Sequence, residues 1–431
     1  MTDGTDTAAA GARSAGNPQV TLAEALGVYA RIGLLSFGGP AGQIALMQSE
    51  IVERRGWVKG AAFDRGLSFS MMLPGPEAQQ LATWLGWRLH GLAGGLAAGL
   101  CFIVPGMVLM VALAWIAAAQ GSVPIIAAIF AGVQPVVIAV VLQAMQKLSG
   151  RALKVPASYA LAAAAFAGIA ILGLPFPLIV ALAAVAGLAY DFTGSTAAQA
   201  DAAPAPVAES DKRGALVVVG TSLALISGVF ALVWAGFGWQ PFADVAELFT
   251  TAAFVSFGGA YALLPYVADR AVESFGWLTP AEMLNGLAIA EATPGPLILV
   301  NTYAGFFAGW TATGEGAMGA FTAVLATFYT FAPSFMLILA FAPVVERIDS
   351  VPWARRALAG VSAAVVGVIA NLAVYLAEAA FLPDGLSNPA WAKLALFAAA
   401  LWLVFVRGIG VVTLVVLGAA CGVLLHLIGL L

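Results

Sequence analysis

Charge is scarce in this sequence. Of 431 residues only 9% are Asp, Glu, Lys or Arg, against 62% hydrophobic, and there are two cysteines and two histidines. A soluble domain carries roughly 25% charged residues, so the scarcity excludes a chain that meets water over most of its surface. Cys101 and Cys421 both lie in apolar segments, which points to neither a disulfide nor a cysteine metal site. His90 and His426 stand alone, so no metal cluster is indicated. A membrane-embedded enzyme would need a nucleophile with a base, or a metal, and remains only a remote alternative. The sequence carries no nucleotide motif and no sign of a cofactor or a nucleic-acid partner.

What the chain has instead is long uncharged apolar runs, at 91–118, 123–146, 155–190 and 214–238. Each exceeds the 18 or so residues that cross a hydrocarbon core as a helix. The fold class that follows is an all-α polytopic membrane protein, with the lipid bilayer as its first partner. The small, polar residues 1–19 read as a disordered tail with no apolar signal core.

The chain also repeats itself. Ser36–Gly39 and Ser256–Gly259 both read SFGG, an offset of 220 (256 − 36). Gly56-Trp57 returns as Gly276-Trp277, and Pro74-Gly75-Pro76 as Pro294-Gly295-Pro296, at the same spacing. Further on, Gly132-Val133 matches Gly360-Val361 at 228. Two homologous halves result, 20–191 and 241–431. They are joined by a solvated linker at 192–213, rich in Ala, Pro and Ser, and by one extra span at 214–240.

Each half opens with interrupted segments. In the first, 21–36 and 41–53 flank FGGP, and 61–72 and 77–89 flank LPGP. At 1.5 Å per residue these pieces reach ~18–24 Å, short of a full crossing. Broken segments at matching places in two halves are the best pointer in a sequence to a transporter site. Re-entrant hairpins and helices broken at mid-membrane both fit. Full spans are expected at 91–118, 123–147, 155–172 and 175–190, and near 317–341, 353–378, 391–406 and 408–430.

Positive charge tests that layout. With the N-terminus and linker in the cytoplasm and the extra span inverting the second half, 14 of the Lys and Arg residues fall inside, Lys147 and Arg151 among them. Only Arg270 and Lys393 fall outside, leaving aside Arg13 and Arg31. The positive-inside rule therefore favours an inverted repeat with its C-terminus outside. A composition rich in Ala and Gly and poor in Lys is that of a GC-rich bacterial genome, which places the chain in an inner membrane.

The motifs LSFGGPAGQIALMQSEIVERRGW and MLPGPEAQQLATWLGWRLHG, with AFVSFGGAYALLPYV and LAIAEATPGPLILVNTYAGFFAG in the second half, resemble the signature of the chromate ion transporter family in its long, two-domain form. The resemblance covers all but the tail and linker. It implies secondary active export of chromate, with sulfate as isosteric competitor. A sulfate or other anion permease, or a channel, is the alternative. Where the family pattern has Gln-Phe-Val-Gly-Phe after the second PGP, this chain has Thr302-Tyr303-Ala304-Gly305-Phe306. A homodimer is compatible with the sequence but not required by it.

Chromate is a tetrahedral dianion, and a bilayer offers it little solvation. A broken helix offers an answer, because its N-terminus presents unsatisfied N–H groups and about half a positive charge. Gly38, Gly39, Gly258 and Gly259 allow backbone amides to approach an anion. Pro40, Pro74, Pro76, Pro294 and Pro296, with Gly75 and Gly295, set the breaks. Four such N-termini converging on one axis would form the substrate site; close helix packing is the plainer role for the same glycines and prolines. Gln43, Gln79, Gln80, Asn301 and Thr302 can donate to oxyanion oxygens, or simply hydrogen-bond between helices. Arg31, two turns before Gly38, is a candidate to attract the anion, or else snorkels to the interface. Glu77 follows the first PGP, and Glu291, three residues before Pro294, is its candidate counterpart. An ionisable group at membrane depth is a functional candidate by default. Protonation would relieve its repulsion of a dianion and couple transport to protons; helix capping is the structural alternative.

Overall fold

The computed structural model describes residues 20–192 apart from 38 and 122, 209–343 apart from 258, and then 345, 352–383, 385 and 389–430. Gly38, Gly258, the tail and most of the linker therefore lie outside the described residues. Every regular element among the described residues is helical.

The duplication is visible element by element. In the first half α1 (Leu22–Leu35), α2 (Gly39–Met47) and α3 (Gly60–Ser70) precede the long α4 (Glu77–Gln120). Then come α5 (Pro124–Ala152), α6 (Pro156–Ala170) and α7 (Phe176–Ala189). After α8 (Glu209–Phe237) the series restarts with α9 (Phe242–Val255), α10 (Ala260–Ala268) and α11 (Pro280–Ala292). It continues as α12 (Val300–Thr313), α13 (Gly316–Phe341), α14 (Pro352–Phe381), α15 (Trp391–Phe405) and α16 (Val411–Leu427). The bounds of α1 and α9 differ by 220 at both ends. Both α2 and α10 run into a π-helical turn, Gln48–Glu53 and Asp269–Ser274. The two SFGG motifs, the two PGP motifs and the Gly-Trp pairs fall at equivalent turns.

Some spans differ from expectation. The run 91–118 is the second part of α4, which bends where His90 and Gly91 leave helical geometry (Gly91 φ 63°). At the matching place the second half breaks fully: α12 ends at the left-handed Gly314 (φ 72°) and α13 begins anew. The expected crossings at 155–172 and 175–190 are helices of 15 and 14 residues, about 22 Å long. Gly173 in the left-handed region (φ 60°) and Pro175 interrupt them, just as the stretch before Val411 interrupts α15 and α16. Among the described residues, five helices are long and apolar enough to cross a membrane: α4, α5, α13, and residues 212–237 and 353–381 of α8 and α14. The α8 window buries none of its residues, as a helix facing lipid would.

The halves do not fold side by side; they exchange partners. The helix α5 packs on α15 and α16 of the other half, and α14 packs on α6 and α7. Glycines set the distance. A Cβ on Gly132 would stand 2.2 Å from the Gly418 carbonyl oxygen, and one on Gly422 2.2 Å from that of Ala128. The equivalents behave alike: Gly360 meets the Ala183 carbonyl at 2.3 Å and Gly187 that of Arg356 at 2.4 Å. Such reciprocity, i with j and its equivalent j with i, is the mark of a twofold contact. Without water in the hydrocarbon core, close backbone packing of this kind is what holds membrane helices together.

Candidate functional site

The twofold exchange brings the broken segments together. The N–H of Gly75 donates to the carbonyl of Ser256 at 2.9 Å, and the N–H of Gly295 to that of Ser36 at 3.1 Å. Each PGP is thus tied to the SFGG of the opposite half. Gly39, Gly75, Gly259 and Gly295 all have positive φ (73°, 126°, 94° and 100°), which a side-chain-bearing residue adopts only with strain. Gln43 adds a tie found on one side alone: its amide donates to the Gly295 carbonyl at 2.7 Å and the Ser36 carbonyl at 3.2 Å. The residue at its repeat position is Leu263.

Two small adjoining cavities lie at this junction, of about 200 and 180 Å³. Gly75, Glu77, Arg151, Gly259 and Ser362 line the first. Gly39, Pro40, Glu77, Lys147, Arg151, Tyr261 and Glu291 line the second. Three of the four expected helix starts therefore reach them, those of α2, α4 and α10. The fourth does not: Pro294, Gly295 and Pro296 are buried, and Pro294 packs so closely on α4 that a Cβ on Gly106 would meet its carbonyl at 2.3 Å. The chain there continues as a single 3₁₀ turn, Leu297–Leu299. The N–H groups of Gly75 and Gly295 are taken by the serine carbonyls, so the free donors at the α4 start belong to Glu77 and the residues after it.

Glu77 is half-buried, and its carboxylate approaches the start of α10: a Cβ on Gly259 would lie 3.6 Å from Oε1. Glu291 is buried and accepts a hydrogen bond from the Tyr261 hydroxyl. Lys147 and Arg151, exposed on α5, bring two positive charges to the same walls. Two acids, two cations and three helix starts, drawn from both halves, thus face one small space. In surroundings of low dielectric their mutual fields are far stronger than in water. Such a space can hold an oxyanion, exchange a proton for it, or do both.

The polar candidates divide. Gln79 bridges Thr83 (2.9 Å) and Ser334 (2.7 Å), Asn301 donates to Thr330 (3.1 Å) and Thr302 pairs with Thr327 (2.7 Å). Apart from Gln79–Thr83, which lies within α4, these are interhelical contacts, and none of these residues lines the two cavities. Gln80 donates to the Pro74 carbonyl at 2.8 Å and holds the first PGP turn. Arg31 is exposed on α1 and lines neither cavity; it lies in the field of buried Glu50, beside Arg54 and Arg55. Glu77 and Glu291 converge in one cavity yet do not occupy equivalent positions. At 220 residues' offset Glu77 matches Leu297 and Glu291 matches Met71.

Lys147, Arg151 and Tyr261 are the residues that sequence reasoning left out of the site. In the charge tally the two cations count only as cytoplasmic residues. Their spacing of four, with Gln143 four before Lys147, would have put them on one helical face. Lys393, one of two exceptions in that tally, turns inward and donates to Gln134 at 2.8 Å, whose amide reaches Asn285 at 3.0 Å.

The profile of the chromate transporter family matches residues 23–188 and 243–423, nearly the whole of both halves. This chain belongs to the chromate transporter family. Among relatives, the chromate transport protein of Pseudomonas aeruginosa is 31% identical over 84% of this chain and 82% of its own. That of Cupriavidus metallidurans is 26% identical over 86% of each. An uncharacterized transporter of Methanocaldococcus jannaschii is 23% identical over 74% of this chain and 75% of its own. No solved structure matches the chain. Membership of the chromate transporter family and the long apolar helices make it a multi-pass membrane protein, and its named relatives are transport proteins.

Proposed function

We propose that this protein is a secondary transporter that exports chromate across a bacterial inner membrane, with its two halves inverted relative to each other. The N-terminus and linker then lie in the cytoplasm and the C-terminus outside. The observation that carries the proposal is the shared cavity in which Glu77, Glu291, Lys147 and Arg151 meet the starts of α2, α4 and α10. The reciprocal Gly75–Ser256 and Gly295–Ser36 bonds support the inverted arrangement, and the cation tally supports its orientation.

In this mechanism a tetrahedral dianion enters past Lys147 and Arg151, which raise its local concentration. It binds at the exposed amides of the three helix starts. The Glu77 carboxylate already sits at the start of α10 and competes for the same donors. A proton on Glu77, and one on Glu291 with Tyr261 as its hydrogen-bond partner, removes that competition and the repulsion. The dianion and the protons are therefore bound in linkage and move together, and a pH gradient acidic on the Lys147 face drives accumulation on the other. Sulfate, with the same shape and charge, competes. Gly39, Gly75 and Gly259 hold the backbone turns that leave the amides open, and Gln43 and Gln80 fix the turns around them.

Uptake of labelled chromate into inverted membrane vesicles tests the proposal, because inversion turns export into accumulation. Accumulation that follows an imposed pH gradient and is reduced by sulfate is the expected result. Uptake indifferent to the gradient would remove the proton-coupling role of Glu77 and Glu291, and no uptake would remove chromate as the substrate.

A further inference from the structure

A larger cavity, of about 450 Å³, lies beyond the central pair, between the end of α10, the α6–α7 connection and α14. Two helices run from one to the other. On α10, Gly259 and Tyr261 face the central cavities, and Pro265 and Tyr266 face the larger one. Tyr261 and Tyr266 are five residues apart, about 7.5 Å along the helix. On α14, Ser362 lines a central cavity and Asn371 the larger one, about 13 Å further on.

The wall of the larger cavity carries a pair of rings. Phe176, at the start of α7, stacks on Tyr266 with centroids 5.9 Å apart and planes 28° apart, and both side chains are buried. The equivalent positions in the other half are Val411, at the start of α16, and Leu46. There Val411 lines the central cavity directly, and that cavity runs on to the two acids. The repeat thus puts an aliphatic residue, Val411, on the wall of the central cavity on the α5 side and an aromatic pair at the equivalent positions on the α14 side.

We propose that the larger cavity is the far mouth of the oxyanion path and that the Phe176–Tyr266 stack is its gate. This rests on the transport reading above. The walls of the mouth fit release and not capture. Glu247, Asp269 and Glu273 face it against the single Arg270, with Arg270 bound to Glu247 at 3.0 Å and the Tyr375 hydroxyl donating to Glu273 at 2.9 Å. The central cavities set Lys147 and Arg151 against Glu77 and Glu291, so their walls are more positive than those of the mouth. An anion leaving the centre moves from attraction to repulsion, which hinders its return.

The repeat itself supplies the test. Phe176→Val and Tyr266→Leu install the residues that the other half carries at the same places. In a protein with Cys101→Ala and Cys421→Ala, a Ser362→Cys reporter is exposed to a membrane-impermeant maleimide in vesicles of each orientation. With the gate intact, the reporter reacts from the Lys147 face alone, and a Tyr375→Cys reporter reacts from the opposite face alone. In the Phe176→Val, Tyr266→Leu protein, labelling of the Ser362→Cys reporter from the far face rises by roughly tenfold or more, and accumulated chromate leaks from inverted vesicles. Phe176→Tyr keeps a ring and stays one-sided. Should the double variant fail to accumulate in the membrane, Tyr266→Leu alone carries the comparison. Labelling that stays one-sided in the opened variants, or Tyr375→Cys reacting from the Lys147 face, overturns the gate. Two-sided labelling in a protein that moves no chromate in either orientation upholds the gate and removes chromate as the substrate.

Discussion

The helices α5 and α14 occupy equivalent places in the two halves, and they differ most in the charge they carry. Their packing is the same: each crosses to the opposite half and lays a glycine, Gly132 or Gly360, against a carbonyl of the final helix there. Their chemistry is not. On α5 the cavity face carries Lys147 and Arg151; 228 residues on, α14 carries Tyr375 and Ala379. The acids follow suit: the positions equivalent to Glu77 and Glu291 hold Leu297 and Met71. Duplication preserved what builds the fold, while the two acids and two cations of the central cavities have no charged counterparts at their equivalent positions. A membrane core explains the pattern, since each ionisable group there is expensive and is retained only where it works.

That difference predicts which substitutions act symmetrically. The largest effect belongs to the cations. Converting the α5 face into that of α14, with Lys147→Tyr and Arg151→Ala, removes two charged anion contacts of about 1.5–3 kcal/mol each. Initial rates of chromate uptake at equal abundance should fall by on the order of a hundredfold or more, whereas Tyr375→Phe leaves them within about threefold. Next come the glycines, where the halves respond alike. Gly132→Ala and Gly360→Ala each force a methyl into a backbone carbonyl and cost about 1–3 kcal/mol, read as equal losses of folded protein on heating in detergent. Unequal losses would show that the exchange of partners is not a true twofold.

The acids come third. Glutamine mimics the neutral carboxyl, so Glu77→Gln and Glu291→Gln should keep chromate binding at alkaline pH while gradient-driven accumulation falls roughly tenfold. Leu297→Gln, at the position equivalent to Glu77, should leave the pH dependence unchanged. The smallest effect is expected of Thr302→Val, which removes an interhelical hydrogen bond worth about 0.6 kcal/mol and should shift thermal stability slightly with the half-saturation concentration unmoved.

Much of this was legible in the sequence, and for definite reasons. The motifs SFGG, GW and PGP recur at one offset, so the two halves, the breaks and the family could be identified from them. Glycine and proline report backbone geometry directly, and Gly39, Gly75, Gly259 and Gly295 do have positive φ. The exchange between halves was not legible, because a bond such as Gly75 to Ser256 leaves no periodic trace. Without it, Asn301 and Thr302 looked like donors to substrate when they join α12 to α13. Lys147 and Arg151 were hidden differently. As cytoplasmic charges they serve the topology, and only the packing of α5 on α11, with a cavity shared with the starts of α2 and α10, brings them to the same walls as Glu77 and Glu291. The same 220-residue comparison that found the repeat also shows that these acids are not equivalents.

The most direct test of the one-sided site is chromate uptake into inverted vesicles under an imposed pH gradient, compared between the unaltered protein and Glu77→Gln with Glu291→Gln. Gradient-driven accumulation in the first, and gradient-independent equilibration in the second, is the predicted pair of results. Accumulation that follows the gradient equally in both would contradict it, since the proton would then be carried elsewhere and the shared cavity would be only a place where two halves meet.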